Sequence, residues 1–338
     1  MKALFIGGTG TISTAISKQL IKDGADLYII NRGNRNDVLG TKGVTYLQGD
    51  INDEALMTKL LEKHKFDVVA EFIAFVPEQL ERDYRLFKHK TKQFIYISSA
   101  SAYQKPLSDF RITEGTPLSN PYWEYSRNKI ACEDYLMKLY REEEFPVTII
   151  RPSHTYDERT IPLGVHGDIG SWQVAERMLE GKPVIIHGDG TSLWTMTSNE
   201  DFAKGFVGLM GNLHAIGEAV QITSDESLTW NQIYEAIAKA LGVKLIPYHV
   251  ASEFLDAVSP YDFKGSLIGD KANTVVFDNS KLKRLVPGFV ADIRFDQGVD
   301  KTIKNILKNK DLQFEDIEFD DWCDHVIKAL EEAKSKLK

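Results

Sequence analysis

Short apolar runs alternate with longer amphipathic stretches through the first half of the chain. Residues 3–6, 27–30, 44–47, 68–73, 94–97 and 147–150 are largely apolar, as strands covered on both faces are. Between them, 12–22, 53–64, 78–87 and 125–141 read as helices. Strands alternating with helices of this length predict an α/β fold, a doubly wound parallel sheet with helices on both faces. Asn120-Pro121 marks a start for the helix that Tyr125 opens.

After Arg151-Pro152 the pattern changes, and glycine and proline become frequent through Gly190. That stretch reads as loops around one helix, 172–179, and one strand, 184–187. A helix over 199–210 and a strand over 219–223 follow; Thr229 then caps a helix over 230–241. Helices near 278–285, 295–307 and 316–334 finish the chain. The pattern predicts a sheet domain over 1–157 to which 199–223 returns. Residues 158–198 and 224–338 are expected to form a smaller, C-terminal substrate-binding part.

Composition narrows the function classes. A chain of 338 residues with 43% apolar residues supports one large domain or two smaller ones. The net charge of −8 argues against the broad basic surface of a nucleic-acid binder, so that partner class is not expected. Cys132 and Cys323 form neither a disulfide framework nor a zinc spacing, and the eight histidines lack paired ligand spacing, so no metal is expected. No apolar run approaches the ~18 residues of a membrane span. The chain also lacks a signal-like start and an Asn-x-Ser/Thr sequon, and together these features favour a cytoplasmic protein.

The candidate chemistry begins with Tyr125 and Lys129, four residues apart on one helix face, and with Ser99 at the end of an apolar run. Free tyrosine has a pKa of roughly 10, and a nearby ammonium lowers it by favouring the phenolate. A serine hydroxyl can donate to the same substrate oxygen. The trio could then move a proton at a carbonyl or alcohol while a cofactor moves a hydride. Spacing alone decides little, because Tyr84 and Lys88 have it too. Context separates the pairs: Tyr125 opens the helix after the Ser99 strand, on the side where strand carboxyl ends converge.

Upstream, Gly7-Gly8-Thr9-Gly10-Thr11-Ile12-Ser13 lies between a strand and a helix. Glycines there let the backbone approach a pyrophosphate that meets the helix N-terminus. Ser13, in place of a third glycine, is small enough for close helix–strand packing. The second strand ends in Asn31-Arg32, where an acidic residue would accept from an NAD ribose. Arg32, with Arg35 in reserve, can pair with a 2′-phosphate, so the residues lean towards NADP over NAD. Two solvated loop arginines would give the same pattern. Asp50 is placed to accept from an adenine amino group and Ile51 to cover the ring; a plain turn with a helix cap is the competing reading.

Together these residues resemble the short-chain dehydrogenase/reductase superfamily, extended type, in its epimerase/dehydratase branch. The likeness also takes in Ser98-Ser99, Arg151-Pro152-Ser153-His154-Thr155-Tyr156, Gly188-Asp189-Gly190, Asp201-Phe202-Ala203 and Phe277-Asp278-Asn279-Ser280-Lys281. It implies a Rossmann-type sheet and an NAD(P)-dependent oxidoreductase or epimerase acting on a sugar-like alcohol or ketone. Catalysis would fall to Ser99, Tyr125 and Lys129. Phe72, Ile73 and Ser98 would line the cofactor groove, with Pro152 and Ser153 near the nicotinamide. A homodimer through the Tyr125 helix is also implied. Departures concern the substrate: Trp194 stands where relatives use an arginine for the diphosphate. It can stack on a ring or fill the core. Glu71, His154 and Ala100 are further candidate substrate contacts, and Glu71 can equally serve a supporting hydrogen-bonding role. Ala100-Ser101 after Ser99, in place of an acidic pair, disfavours sugar dehydration. The alternative is a non-enzymatic cofactor sensor or RNA-binding protein from an atypical branch of the same superfamily; the intact Ser/Tyr/Lys set argues against it.

Overall fold

The computed structural model describes residues 1–33 and 38–337. Seven strands form one parallel sheet: β1 (Lys2–Ile6), β2 (Asp26–Asn31), β3 (Val44–Gln48), β4 (Val68–Glu71), β5 (Phe94–Ile97), β6 (Val147–Pro152) and β7 (Glu218–Ile222). Their spatial order is β3-β2-β1-β4-β5-β6-β7, the Rossmann arrangement. Helices α1 (Thr11–Lys22), α2 (Glu54–Leu61), α3 (Pro77–Phe87) and α4 (Glu124–Glu143) make the crossovers around it.

Strand alternation divides the core between the two faces. Ala3 and Phe5 of β1 pack with Ile16 and Leu20 of α1 and with Phe202 and Phe206 of the returning helix Asn199–Leu209. Leu4 and Ile6 face the other way, in a core with Met57, Leu61, Leu80, Phe87, Cys132 and Leu136 from α2, α3 and α4. Because both faces are covered, these strands read as continuous apolar runs.

Differences from the sequence expectation have local causes. The fourth strand stops at Glu71 rather than 73, where Glu71 Oε1 takes the Ile73 N–H at 2.5 Å. The second helix begins one residue late because Asp53 is its cap, accepting from Leu56 N at 3.0 Å.

The chain divides into two units. The first comprises Met1–Thr155, Asn199–Asp225 and Phe277–Asp292; the second comprises Tyr156–Ser198, Glu226–Val276 and Ile293–Lys338. Residues 277–292, expected in the substrate-binding part, thus join the sheet unit. Asn279 anchors them there, its amide donating to the Thr223 carbonyl at 3.0 Å. The second unit holds helices Trp172–Leu179, Trp230–Leu241, Phe295–Lys308 and Ile317–Lys336, and strand Val184–His187 paired in parallel with Pro247–Val250. Thr229 caps the Trp230 helix in a reciprocal box with Gln232. The strand Pro247–Val250, the helix Ser252–Val258 and the π-helical stretch Lys264–Lys271 carry no strong periodicity and were not expected.

Candidate active site

The strand order reverses between β1 and β4, which leaves a crevice at the carboxyl ends of the strands. A cavity of about 570 Å³ fills it. Its walls bring together Gly7, Thr9, Gly10, Thr11, Ile12, Asn31, Arg32, Asp50, Ile51, Phe72 and Ile73, residues from four separate segments of the sequence. Ser13, Ile30, Gly49, Asn52 and Ile97 also line it. Ser13 was expected to serve helix–strand packing, and Ile30, Gly49, Asn52 and Ile97 were not expected in the groove; the last two carry no motif of their own. Arg35 lies outside the described residues.

The glycine turn is shaped by close approach. Gly7 has φ +87°, and a Cβ there would come 2.5 Å from Ile73 Cγ2. Ser13 does more than fit: its hydroxyl donates to the Gly7 carbonyl at 2.8 Å and accepts from Gly10 N at 2.9 Å. Ser17 donates to the Gly8 carbonyl at 3.0 Å, and Asn199 reaches the Thr11 carbonyl at 3.1 Å. The turn is therefore held from two helices, with the first turn of α1 lining the cavity, and this cradle fits a pyrophosphate. Asn31 Oδ1 accepts from Gly33 N at 2.9 Å, which fixes the end of β2, and Arg32 is exposed at the cavity rim. Asp50 Oδ1 accepts from both nitrogens of Asn52, at 2.9 and 3.0 Å.

The catalytic candidates lie in the same unit. Ser99 and Tyr125 are half-buried, whereas Lys129 is 2% exposed. Lys129 Nζ donates to the carbonyls of Ile97 and Ala74, at 2.8 and 2.9 Å. Ile97 borders the cavity, so one of the two carbonyls that the amine holds belongs to a cavity-lining residue. Nζ also lies 4.8 Å from the Tyr96 ring centroid, 4.7 Å from that of Phe75 and 5.8 Å from that of Tyr125. Burial disfavours the ammonium and lowers its pKa to about 8. A chain of hydroxyls ties Ser99 to the start of α4: Ser99 Oγ and Ser101 Oγ are 2.9 Å apart, and Ser126 Oγ donates to Ser101 Oγ at 2.8 Å. Ser126 directly follows Tyr125. Trp123 and Phe75 flank the tyrosine ring, at 4.9 and 6.2 Å between centroids. Neither aromatic residue has a sequence signal beyond its nearness to the motif.

Ser98 is buried and donates to Glu133, which also binds Arg151 through two nitrogens. Its side chain therefore supports the sheet rather than the groove. Pro152 ends β6, followed by the half-buried Ser153 and His154. Ala100 is 8% exposed, at the head of a short 3-10 turn.

Two expected substrate contacts are corrected. Glu71 is 0% exposed and its carboxyl group faces Ile73 N, Arg82 and Asp83, so it stands behind the groove. Trp194 is 4% exposed and stacks on Trp230, 5.9 Å between centroids, filling the core of the second unit. In each case, of the two roles the residue allowed, the structure takes the supporting one.

The sequence profile of the NAD dependent epimerase/dehydratase family matches residues 3–223. The chain is 22% identical over 289 residues to 2′-dehydrokanamycin reductase of Streptomyces kanamyceticus, covering 86% of this chain and 80% of that one. It is 26% identical to the chloroplast stem-loop binding protein of 41 kDa b of Arabidopsis thaliana, over 71% of this chain and 63% of that one. Among solved structures it resembles UDP-glucuronic acid 4-epimerase from Bacillus cereus, solved in complex with UDP-glucuronic acid and NAD. That TM-score is 0.73 at 21% identity, covering 91% of this chain and 99% of that one. With the profile covering the whole seven-stranded sheet, the chain belongs to the NAD dependent epimerase/dehydratase family.

Proposed function

We propose that this protein is an NAD(P)-dependent oxidoreductase or epimerase acting on a secondary alcohol or ketone of a sugar-like substrate. The observation that carries the reading is the Lys129 ammonium, bonded to the carbonyl of cavity-lining Ile97 one helical turn beyond Tyr125. When bound, the nicotinamide supplies the hydride acceptor or donor. The chain's own residues would then manage position and proton. Ser99 Oγ donates to the substrate oxygen and orients it, while the Ser101–Ser126 hydroxyls hold Ser99 in register with α4. Tyr125 takes the proton from the alcohol, or gives one to the ketone, at its phenolic oxygen. Lys129 brings positive charge to that oxygen and, through Ile97, to the cofactor side of the site. Trp123 and Phe75 give the reacting oxygen an apolar surround suited to a sugar ring face.

We favour NADP over NAD because Arg32 stands at the cavity rim and Asn31 offers no carboxylate for a ribose. Native mass spectrometry of the purified protein tests both points: a retained cofactor favours an epimerase, which reduces its own intermediate, and the cofactor's mass identifies it. Release of cofactor with each turnover on a panel of nucleotide sugars and ketoses favours a reductase. Tighter binding of NAD than NADP overturns the NADP preference. RNA binding without turnover on the panel would favour the non-enzymatic reading that the stem-loop binding relative raises.

A further inference from the structure

We infer that Glu71 acts as a neutral acid that positions Ile73, and that the chain Glu71–Asp83–Arg82–Asn52 braces the two banks of the groove. The inference rests on reading the cavity as the nicotinamide cofactor site.

The geometry is continuous from one bank to the other. At the end of β4, Glu71 Oε1 accepts from Ile73 N at 2.5 Å. Its Oε2 lies 3.8 Å from Arg82 Nη2 on α3, and the Asp83 carboxyl group is close enough to act on it. Arg82 Nε donates to Asp83 Oδ1 at 2.9 Å, with Nη2 at 2.8 Å from the same oxygen. Arg82 Nη1 then donates to Asn52 Oδ1 at 2.6 Å, and Asn52 holds Asp50. Ile73, Asn52 and Asp50 all line the cavity. Ile73 is also the side chain that a Cβ on Gly7 would strike, so its position sets the clearance of the glycine turn.

Charge and hydrogen-bond accounting require one proton in this chain. Glu71 and Asp83 are both 0% exposed, and the buried Arg82 guanidinium lies against Asp83 and 3.8 Å from Glu71. Two carboxylates against one guanidinium would leave an uncompensated buried negative charge. They would also leave Glu71 Oε2 and Asp83 Oδ2 as buried acceptors without a donor in hydrogen-bond reach, Arg82 Nη2 being 3.8 Å from the first. A proton on Glu71 Oε2, donated to Asp83 Oδ2, removes both defects. Burial and the negative Asp83 push the Glu71 carboxyl well up. Burial also raises Asp83, but Arg82 opposes it, so the proton resides on Glu71. Of the other charges nearby, Glu54 on α2 pairs with Arg85, and the Lys129 ammonium on α4, which Glu71 also favours, donates to two carbonyls.

A neutral glutamic acid has a close mimic, because glutamine accepts from Ile73 N and donates to Asp83 in the same way. Titration with NADH and NADPH, followed by fluorescence, tests this on the native protein, Glu71→Gln and Glu71→Ala. Glu71→Gln is expected to bind within about twofold of native. Glu71→Ala leaves Ile73 N and Asp83 Oδ2 unpaired and is expected to bind about tenfold more weakly or worse. A folded Glu71→Ala with native affinity overturns the inference. So does a Glu71→Gln as weak as the alanine variant, since the groove would then need an ionised Glu71. If the alanine variant does not fold, infrared difference spectra of native against Glu71→Gln at neutral pH decide: the carbonyl band of a protonated carboxyl should be present in the native protein and lost in the variant. Its absence from the native protein rejects the inference. If the band is present but native protein binds neither dinucleotide, it is the cofactor reading that fails, not the protonated pair.

Discussion

Tyr125–Lys129 and Tyr84–Lys88 have the same two residue types at the same spacing, each on a helix packed against the same sheet, yet their surroundings differ. Lys129 is buried, holds two carbonyls and has its pKa lowered to about 8. Lys88 is exposed and lies over the Tyr84 ring, 5.5 Å from its centroid. The Tyr84 hydroxyl donates to Glu143 at 3.3 Å. Partial burial and that carboxylate raise the Tyr84 pKa, away from a phenolate at neutral pH. Helical spacing places two side chains on one face; what that face meets decides whether they do chemistry. The α3 pair meets the end of α4 and water, whereas the α4 pair meets the carboxyl ends of β4 and β5.

Substitutions can break or sharpen this contrast. The largest expected effect is from Tyr125→Phe, which should lower kcat by about a thousandfold, as loss of a general acid/base does, with cofactor Kd unchanged. Near-normal turnover on the best substrate would end the assignment. Lys129→Met should cost about a hundredfold. Because burial lowers the Lys129 pKa, its ammonium is present below about 8 and lost above, so the native rate should fall as pH rises through that value. A rate flat to pH 10 would detach Lys129 from the chemistry. Gly7→Ala places a Cβ against Ile73 at positive φ, a strain of about 1–3 kcal/mol, and should weaken cofactor binding about tenfold with little change in kcat. Ser101→Ala removes the two hydrogen bonds that link Ser99 to Ser126 and should lower kcat about fivefold, the net worth of such bonds being on the order of 1 kcal/mol. The smallest effects belong to Tyr84→Phe and Lys88→Ala, expected within about 0.5 kcal/mol of native in stability and unchanged in turnover. A clear loss of turnover in either would erase the difference between the two pairs.

The sheet strands were legible because each is covered on both faces and so is almost wholly apolar. The glycine turn was legible because few residues other than glycine accept a backbone such as that of Gly7. The return of 199–223 to the sheet could be read from its apolar runs, whereas 277–292 could not, because Asn279 ties it down by side-chain hydrogen bonds that leave no periodic trace. The second unit's π-helical stretch and the Pro247–Val250 strand were missed for a similar reason: both are short and take their order from neighbours distant in sequence.

By itself the sequence determined which residue types could act and which lay one helical turn apart: the glycines, Tyr125 with Lys129, and Ser99 at a strand end. Only the tertiary structure decided depth and partners. It put Glu71 behind the groove and Trp194 in a core, linked Ser99 to α4 through Ser101 and Ser126, and buried Lys129 but not Lys88. Periodicity records which face of an element is covered. How deeply a polar side chain is buried, and which charge or carbonyl it meets there, depends on residues many positions away, and those contacts exist only once the sheet has formed.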